Sequence, residues 1–121
     1  MAGMGPMRIG AAGRRRDNSE PGIVAVFKSA GYSVAYLGGK ALPDLAVGHD
    51  GVTSLVEVKS GDKAKLTPEQ IEWHACWQGE PVQVCRSAEE AAHLVHVWRT
   101  AAAVQRERDR RWGLVNEQEA P

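Results

Sequence analysis

The 121-residue sequence predicts an α/β domain, a mixed sheet flanked by helices with its elements in the order αβββαβ(α). Three observations carry this expectation. Three short β-type runs, residues 32–37, 44–47 and 53–59, follow one another through turn-length links, as in an antiparallel meander. A fourth run, residues 81–85, is reached only through a helical segment, and a strand entered by such a crossover pairs in parallel. Amphipathic helical patterns stand before, between and after these runs.

Each element has its own local reason. Residues 1–17 are rich in Gly and Met, then in Arg, and lack periodicity, so a flexible basic arm is expected. Asn18 or Ser19 suits an N-cap, and Pro21 is tolerated in a first turn. Ile23, Val24, Val26, Phe27 and Ala30 then make an apolar stripe ended by Gly31. Glu20 precedes Ile23, Val24 and Phe27 by three, four and seven positions, which puts a carboxylate on the core-facing side at the end of that helix. Gly38-Gly39 closes the first strand, and Gly48-His49-Asp50-Gly51 is a turn signal between the next two. Leu55, Val56 and Val58 make the run at 53–59 apolar on both faces. After a polar loop, Thr67-Pro68-Glu69-Gln70 resembles a capping box and opens a helix through Ile71, Trp73, His74 and Trp77 as far as Gly79. Ser87-Ala88-Glu89-Glu90 opens the last helix, which runs through Leu94, Val95, Val97 and Trp98 and turns basic towards Trp112. Trp73, Trp77 and Trp98 fall on apolar stripes, as core or dimer-interface residues do. One domain is therefore expected over residues 18–112, with residues 113–121 as a tail.

Composition narrows the function classes. With 43% hydrophobic and 25% charged residues the chain can fold around a core, and wholesale disorder is excluded. No apolar run approaches the roughly 20 residues of a membrane span. With no export leader either, a soluble cytoplasmic protein without membrane association is expected. Cys76 and Cys85 form neither a C-x-x-C pair nor a disulfide framework and read as reduced core thiols. His74, Cys76, Cys85, His93 and His96 match no zinc spacing, and no Walker-type loop suggests a nucleotide cofactor. Net charge is zero but uneven. Residues 1–17 carry Arg8, Arg14, Arg15 and Arg16 against Asp17, and residues 99–112 carry five arginines against Glu107 and Asp109. Local patches of this kind can grip a phosphate backbone. The C-terminal arginines equally fit surface pairs with Glu107 and Asp109.

The chemistry is concentrated in Pro43-Asp44 and, thirteen residues after Asp44, Glu57-Val58-Lys59. Strand alternation puts Glu57 and Lys59 on one face, and a hairpin through residues 49–51 can bring Asp44 beside Glu57. Two carboxylates about 4 Å apart repel by roughly 4 kcal/mol at an effective dielectric near 20, so such a pair calls for a cation or a shared proton. Oxygen donors in small number suit Mg²⁺ or Mn²⁺. A divalent ion held by Asp44, Glu57 and the Val58 carbonyl, with Glu20 joining through water or a second ion, can hydrolyse a phosphodiester. Lys59 would orient the attacking water or offset developing negative charge. The plainer alternative for Asp44, Glu57 and Lys59 is a surface ion pair on a hairpin.

Together, Pro43-Asp44, Glu57-Val58-Lys59, Glu20 and the αβββαβ order resemble the PD-(D/E)XK nuclease superfamily, over roughly residues 19–97. The stretch from Leu66 to His74 is similar to the Gln-bearing helix of virus-type replication-repair nuclease domains and small phage nucleases. That likeness implies that Gln70 faces the site and contacts phosphate or water. It also implies a restriction-endonuclease-like core. The functional analogy points to small archaeal-type Holliday junction resolvases, hence to a homodimer that nicks branched, four-way DNA symmetrically, gripping it with Arg14, Arg15, Arg16 and Lys40. Resolvases of that type often carry a hydroxyl or basic residue in the loop before the Asp. This chain has Gly38-Gly39-Lys40-Ala41, with no Ser. The rival expectations are a flap or nicking nuclease of the same superfamily, a non-cleaving DNA-binding module on the same fold, and a plain interaction protein.

Overall fold

Residues 7–9, 18–61 and 63–113 are described by the structure, a computed structural model; for residues 7–9 this means the backbone. Eight elements follow in order: β1 (Met7–Ile9), α1 (Glu20–Ser29), β2 (Ser33–Leu37), β3 (Leu45–His49), β4 (Val52–Val58), α2 (Pro68–Cys76), β5 (Gln83–Cys85) and α3 (Ala88–Arg111). They build one five-stranded sheet in the order β1-β2-β3-β4-β5. The meander β2-β3-β4 is antiparallel, and β5, arriving through α2, pairs with β4 in parallel, as the connection lengths require.

The registers divide the sheet into two faces. Val34 lies opposite Val47, Leu45 opposite Val56, and Val58 opposite Cys85. These side chains share one face, where Ile23, Val24 and Phe27 of α1 and Ala91 and Val95 of α3 cover them to form the core. Trp98 closes its edge, stacking on Phe27 at 5.6 Å and on His49 at 4.0 Å between ring centroids. Buried His49 also holds Ser54 at 2.8 Å, near the hairpin end of β3 and β4. The hairpin itself turns on two residues, Asp50 and Gly51, both at positive φ (52° and 78°), the geometry that Asp-Gly favours. Gly48 and His49 therefore belong to the strand.

Several expectations are corrected. The arm expected over residues 1–17 contributes a strand: Met7–Ile9 adds in parallel to the edge of β2. Arg14, Arg15 and Arg16 lie outside the described residues. α2 stops at Cys76 and not near Gly79, because Trp77 turns to extended backbone (φ −69°, ψ 124°) and lays its ring on Trp73 at 5.1 Å. Gly79 then passes so close that a Cβ there would come within 2.6 Å of the Trp77 indole nitrogen. Trp77 is consequently exposed and not a core residue. Cys76 is exposed too, since the inward side of α2 is the one bearing Gln70; only Cys85 is a buried thiol, its pKa pushed up to about 11 by burial. The last turns of α3 carry surface pairs, Arg110 to Glu107 at 3.0 Å and Arg111 to Glu107 at 3.9 Å. Among the described residues no helix is long and apolar enough to cross a membrane.

Candidate active site

The site sits where β3 begins and β4 ends. The β3–β4 register runs from His49 opposite Val52 to Leu45 opposite Val56, and one step further it brings Asp44 across from Glu57. Directly opposed residues of an antiparallel pair point to the same face. Here that is the face away from the core, since Val56 and Val58 face the core on either side of Glu57. Asp44 is anchored by its backbone and by its side chain. Its carbonyl accepts from the Leu37 N–H at 2.8 Å, and its Oδ2 accepts from the Val58 N–H at 2.7 Å. The Pro43-Asp44 step thus clamps the end of β4 beside Glu57.

Lys59 is fixed just past the strand. Its N–H donates to the Cys85 carbonyl at 3.1 Å, and its own carbonyl accepts from Ser19 Oγ at 3.4 Å. Ser19 also meets Ser60 Oγ at 3.3 Å. Ser19, one of the two residues expected to cap α1, is the N-cap but makes no side-chain cap, and instead docks the start of α1 against the end of β4. This places Glu20, the first residue of α1, at the same end of the sheet.

α2 supplies the link between acid and base. The capping box is present: Thr67 Oγ1 accepts from the Gln70 N–H at 3.2 Å, and Gln70 Oε1 accepts from the Thr67 N–H at 2.9 Å. That reciprocal pair orients the Gln70 amide. Its Oε1 also accepts from Lys59 Nζ at 2.9 Å, while its Nε2 donates to Glu57 Oε2 at 3.2 Å. One turn later His74 brings Nε2 to 3.7 Å from Glu57 Oε1. Burial, and secondarily the Lys59 ammonium, push His74 below the ordinary imidazole range, so it is neutral at pH 7.

Four polar side chains are thus nearly withdrawn from water: Glu20 is 3% exposed, Asp44 4%, Glu57 1% and Gln70 4%. Glu57 is among the largest fully buried side chains of the described residues. A surface ion pair on a hairpin does not look like this. Carboxylates at such burial need compensating charge or hydrogen bonds. Asp44 and Glu57 on one face, with the Val58 backbone between them, are a hard oxygen set that fits a divalent ion. Among the described residues no three His, Cys, Asp or Glu side chains converge closely enough to hold an ion by themselves.

The remaining candidates fall elsewhere. Lys40 is an exposed loop residue between β2 and β3. His74 was not among the residues expected to act. The signal for it was its spacing, four positions after Gln70 on a helix whose Gln faces the site.

No family model matches the sequence, and no curated protein matches it. A solved structure described as a "VRR_NUC domain" is similar, with 28% sequence identity and a TM-score of 0.57. The likeness covers 64% of this chain and 90% of that chain.

Proposed function

We propose that this chain, which carries the PD-(D/E)XK nuclease fold, is a divalent-metal-dependent nuclease that hydrolyses phosphodiester bonds in DNA. One observation carries the reading: a carboxylate buried to 1% exposure, Glu57, faces Asp44 on the sheet and is joined to Lys59 through a single amide, Gln70. Burying an acid next to an acid costs folding energy, which a bound cation offsets.

In this reading Asp44 and Glu57 hold the ion, with the Val58 carbonyl as a third donor and Glu20 acting through water or a second ion. The ion would supply charge neutralisation at the scissile phosphate and a more acidic water. Lys59 meets the negative charge that develops on the phosphoryl oxygens, or steers the attacking water. Gln70 keeps that ammonium at a fixed distance from Glu57. Within the nuclease class, the finer assignment is a homodimeric, structure-selective endonuclease of the Holliday junction resolvase kind. It is favoured by Arg14–Arg16 and Lys40 as candidate phosphate contacts.

The test offers end-labelled four-way junction and linear duplex of the same sequence to the wild type and to Asp44→Asn, with and without Mg²⁺ or Mn²⁺. Asp44→Asn keeps an oxygen for the Val58 N–H, so the fold should survive. Paired symmetric nicks in the junction alone, lost in the variant, support resolution. Equal cutting of the duplex leaves a nuclease but not a resolvase, and binding without cutting defeats both.

A further inference from the structure

Beside the inward side that carries Gln70 and His74, α2 and its C-cap present two indoles that the acid–acid–lysine set does not use. Trp73 and Trp77 stack with ring centroids 5.1 Å apart and planes 13° from parallel. The pair adjoins the site: Trp73 meets the His74 ring edge-on at 6.4 Å, and His74 Nε2 lies 3.7 Å from Glu57 Oε1. The outer indole is held in place. Trp77 has left the helix, its N–H donates to the Trp73 carbonyl at 3.1 Å, and Gly79 passes so near that a Cβ there would displace the ring. Trp77 nevertheless stays 44% exposed. A fixed, stacked aromatic pair left in water is a surface for a further flat apolar group.

Building on the nuclease reading above, we infer that the Trp73–Trp77 stack is a platform for an unpaired base of the DNA substrate, close to the bond that is cut. Size favours this occupant over a second protein. Among the described residues of α2 and its C-cap, Ile71 and Trp77 are the exposed large apolar side chains. A stable protein interface takes roughly 800 Å² from each partner, and two side chains of at most about 250 Å² each fall short of that. One nucleobase matches one indole. Charge favours it too. Lys63 and Lys65 are exposed on the loop that enters α2, where they suit phosphates. Arg86 fixes that loop, its Nη1 donating to the Gly61 carbonyl at 2.8 Å and to the Ala64 carbonyl at 2.6 Å. α2 has nine residues and is therefore about 14 Å long, so phosphates at its start and a base at its end belong to one strand, a few nucleotides apart. Exposed Glu69 and Glu72 repel phosphates from the helix itself, which leaves the base as the group that meets it. Every base has a π-face, so the platform selects the unpaired state and not a sequence. A flap, a gap or an opened branch point supplies such a base; an intact duplex keeps its bases stacked on one another.

The test mixes the full chain, in EDTA so that no strand is cut, with a forked DNA carrying 2-aminopurine at its first unpaired positions, and with a paired duplex labelled in the same way. The wild type should quench the fork's fluorescence and bind it at least about tenfold more tightly than the duplex. Trp77→Leu keeps an apolar side chain and removes the ring. It should lose the quenching and about tenfold of fork affinity, with duplex affinity within about twofold of wild type. Trp77→Phe should recover part of both. Gly79→Ala moves the ring without deleting it and should behave like Trp77→Leu, which it replaces if circular dichroism shows that variant unfolded. A wild type that shows no quenching overturns the platform, as do variants that quench and bind the fork like wild type. A wild-type dimer that Trp77→Leu splits into monomers on sedimentation makes the stack an interface between copies and overturns it as well. Adding a divalent ion separates the two readings: a wild type that then cuts DNA keeps the nuclease assignment without the platform, and one that neither quenches nor cuts loses both.

Discussion

Replacing Gln70 with alanine separates the amide bridge from everything around it. Three hydrogen bonds go: Lys59 Nζ to Oε1 at 2.9 Å, the Thr67 N–H to Oε1 at 2.9 Å, and Nε2 to Glu57 Oε2 at 3.2 Å. Water can replace the first two, because Thr67 is exposed and Lys59 only partly buried. It cannot easily replace the third, because Glu57 is 1% exposed. A lost hydrogen bond to a buried charged group costs roughly 1.5–3 kcal/mol, and a weakened N-terminal cap adds up to about 1, so the variant should lose about 1.5–4 kcal/mol. The effect on rate is separate. Without the amide, Lys59 has no fixed acceptor, and one preorganised electrostatic contact is worth roughly 10²–10³ in kcat. Urea unfolding and single-turnover cleavage at saturating metal read the two effects independently. Gln70→Glu is the informative companion. It keeps an oxygen for Lys59 but turns the donor facing Glu57 into a carboxylate oxygen, so it should be the less stable of the two. A Gln70→Ala protein that unfolds within about 0.5 kcal/mol of wild type and cleaves within about twofold of its rate would refute the bridge.

Other outcomes follow from the same structure. In the metal-free protein Glu57→Gln should raise stability by about 1–2 kcal/mol by removing a buried charge, and thermal unfolding should then show a divalent-ion stabilisation in wild type that the variant lacks. His49 and His74 both titrate below the ordinary value, in each case chiefly through burial. The unfolded chain therefore takes up protons first as pH falls below about 6.5, and stability should decline from pH 7 to pH 5. Each imidazole contributes at most about 1.4 kcal/mol per pH unit, and the slope should flatten in His49→Gln/His74→Gln. Phe27→Ala removes a fully buried ring stacked on Trp98 and should cost about 3–5 kcal/mol in denaturant unfolding, without altering metal affinity per folded molecule.

What the sequence shows and hides follows the range of the interactions involved. The hairpin was legible because Asp50-Gly51 fixes a two-residue turn locally, and α2 began where Thr67-Pro68-Glu69-Gln70 marks a capping box. The parallel β4–β5 pairing followed from connection length alone. Asp44, Glu57 and Lys59 could be placed together because strand parity and a short turn leave little freedom. The strand at Met7–Ile9 was hidden, since its pairing with β2 is a long-range edge addition with no local pattern. Ser19 looks like a cap, yet its hydroxyl goes to Lys59 and Ser60, some forty residues away in sequence. Trp77 looks like the next step of an apolar stripe, but the helix ends before it and its ring turns onto Trp73. His74 sat in plain view among residues weighed for zinc; only the orientation of α2 towards Glu57 reveals what it faces.

The most direct test of the account is the rate of phosphodiester cleavage by Glu57→Gln against wild type, across a titration of divalent ion on branched DNA. The exchange keeps the side chain's size while deleting one negative charge from the most deeply buried acid of the site. Cleavage that depends on the ion in wild type and falls at least about a thousandfold in the variant, at every ion concentration, is the outcome expected for charge used to bind and polarise in the reaction. Equal, ion-dependent cutting by both proteins would place the chemistry somewhere other than Asp44 and Glu57.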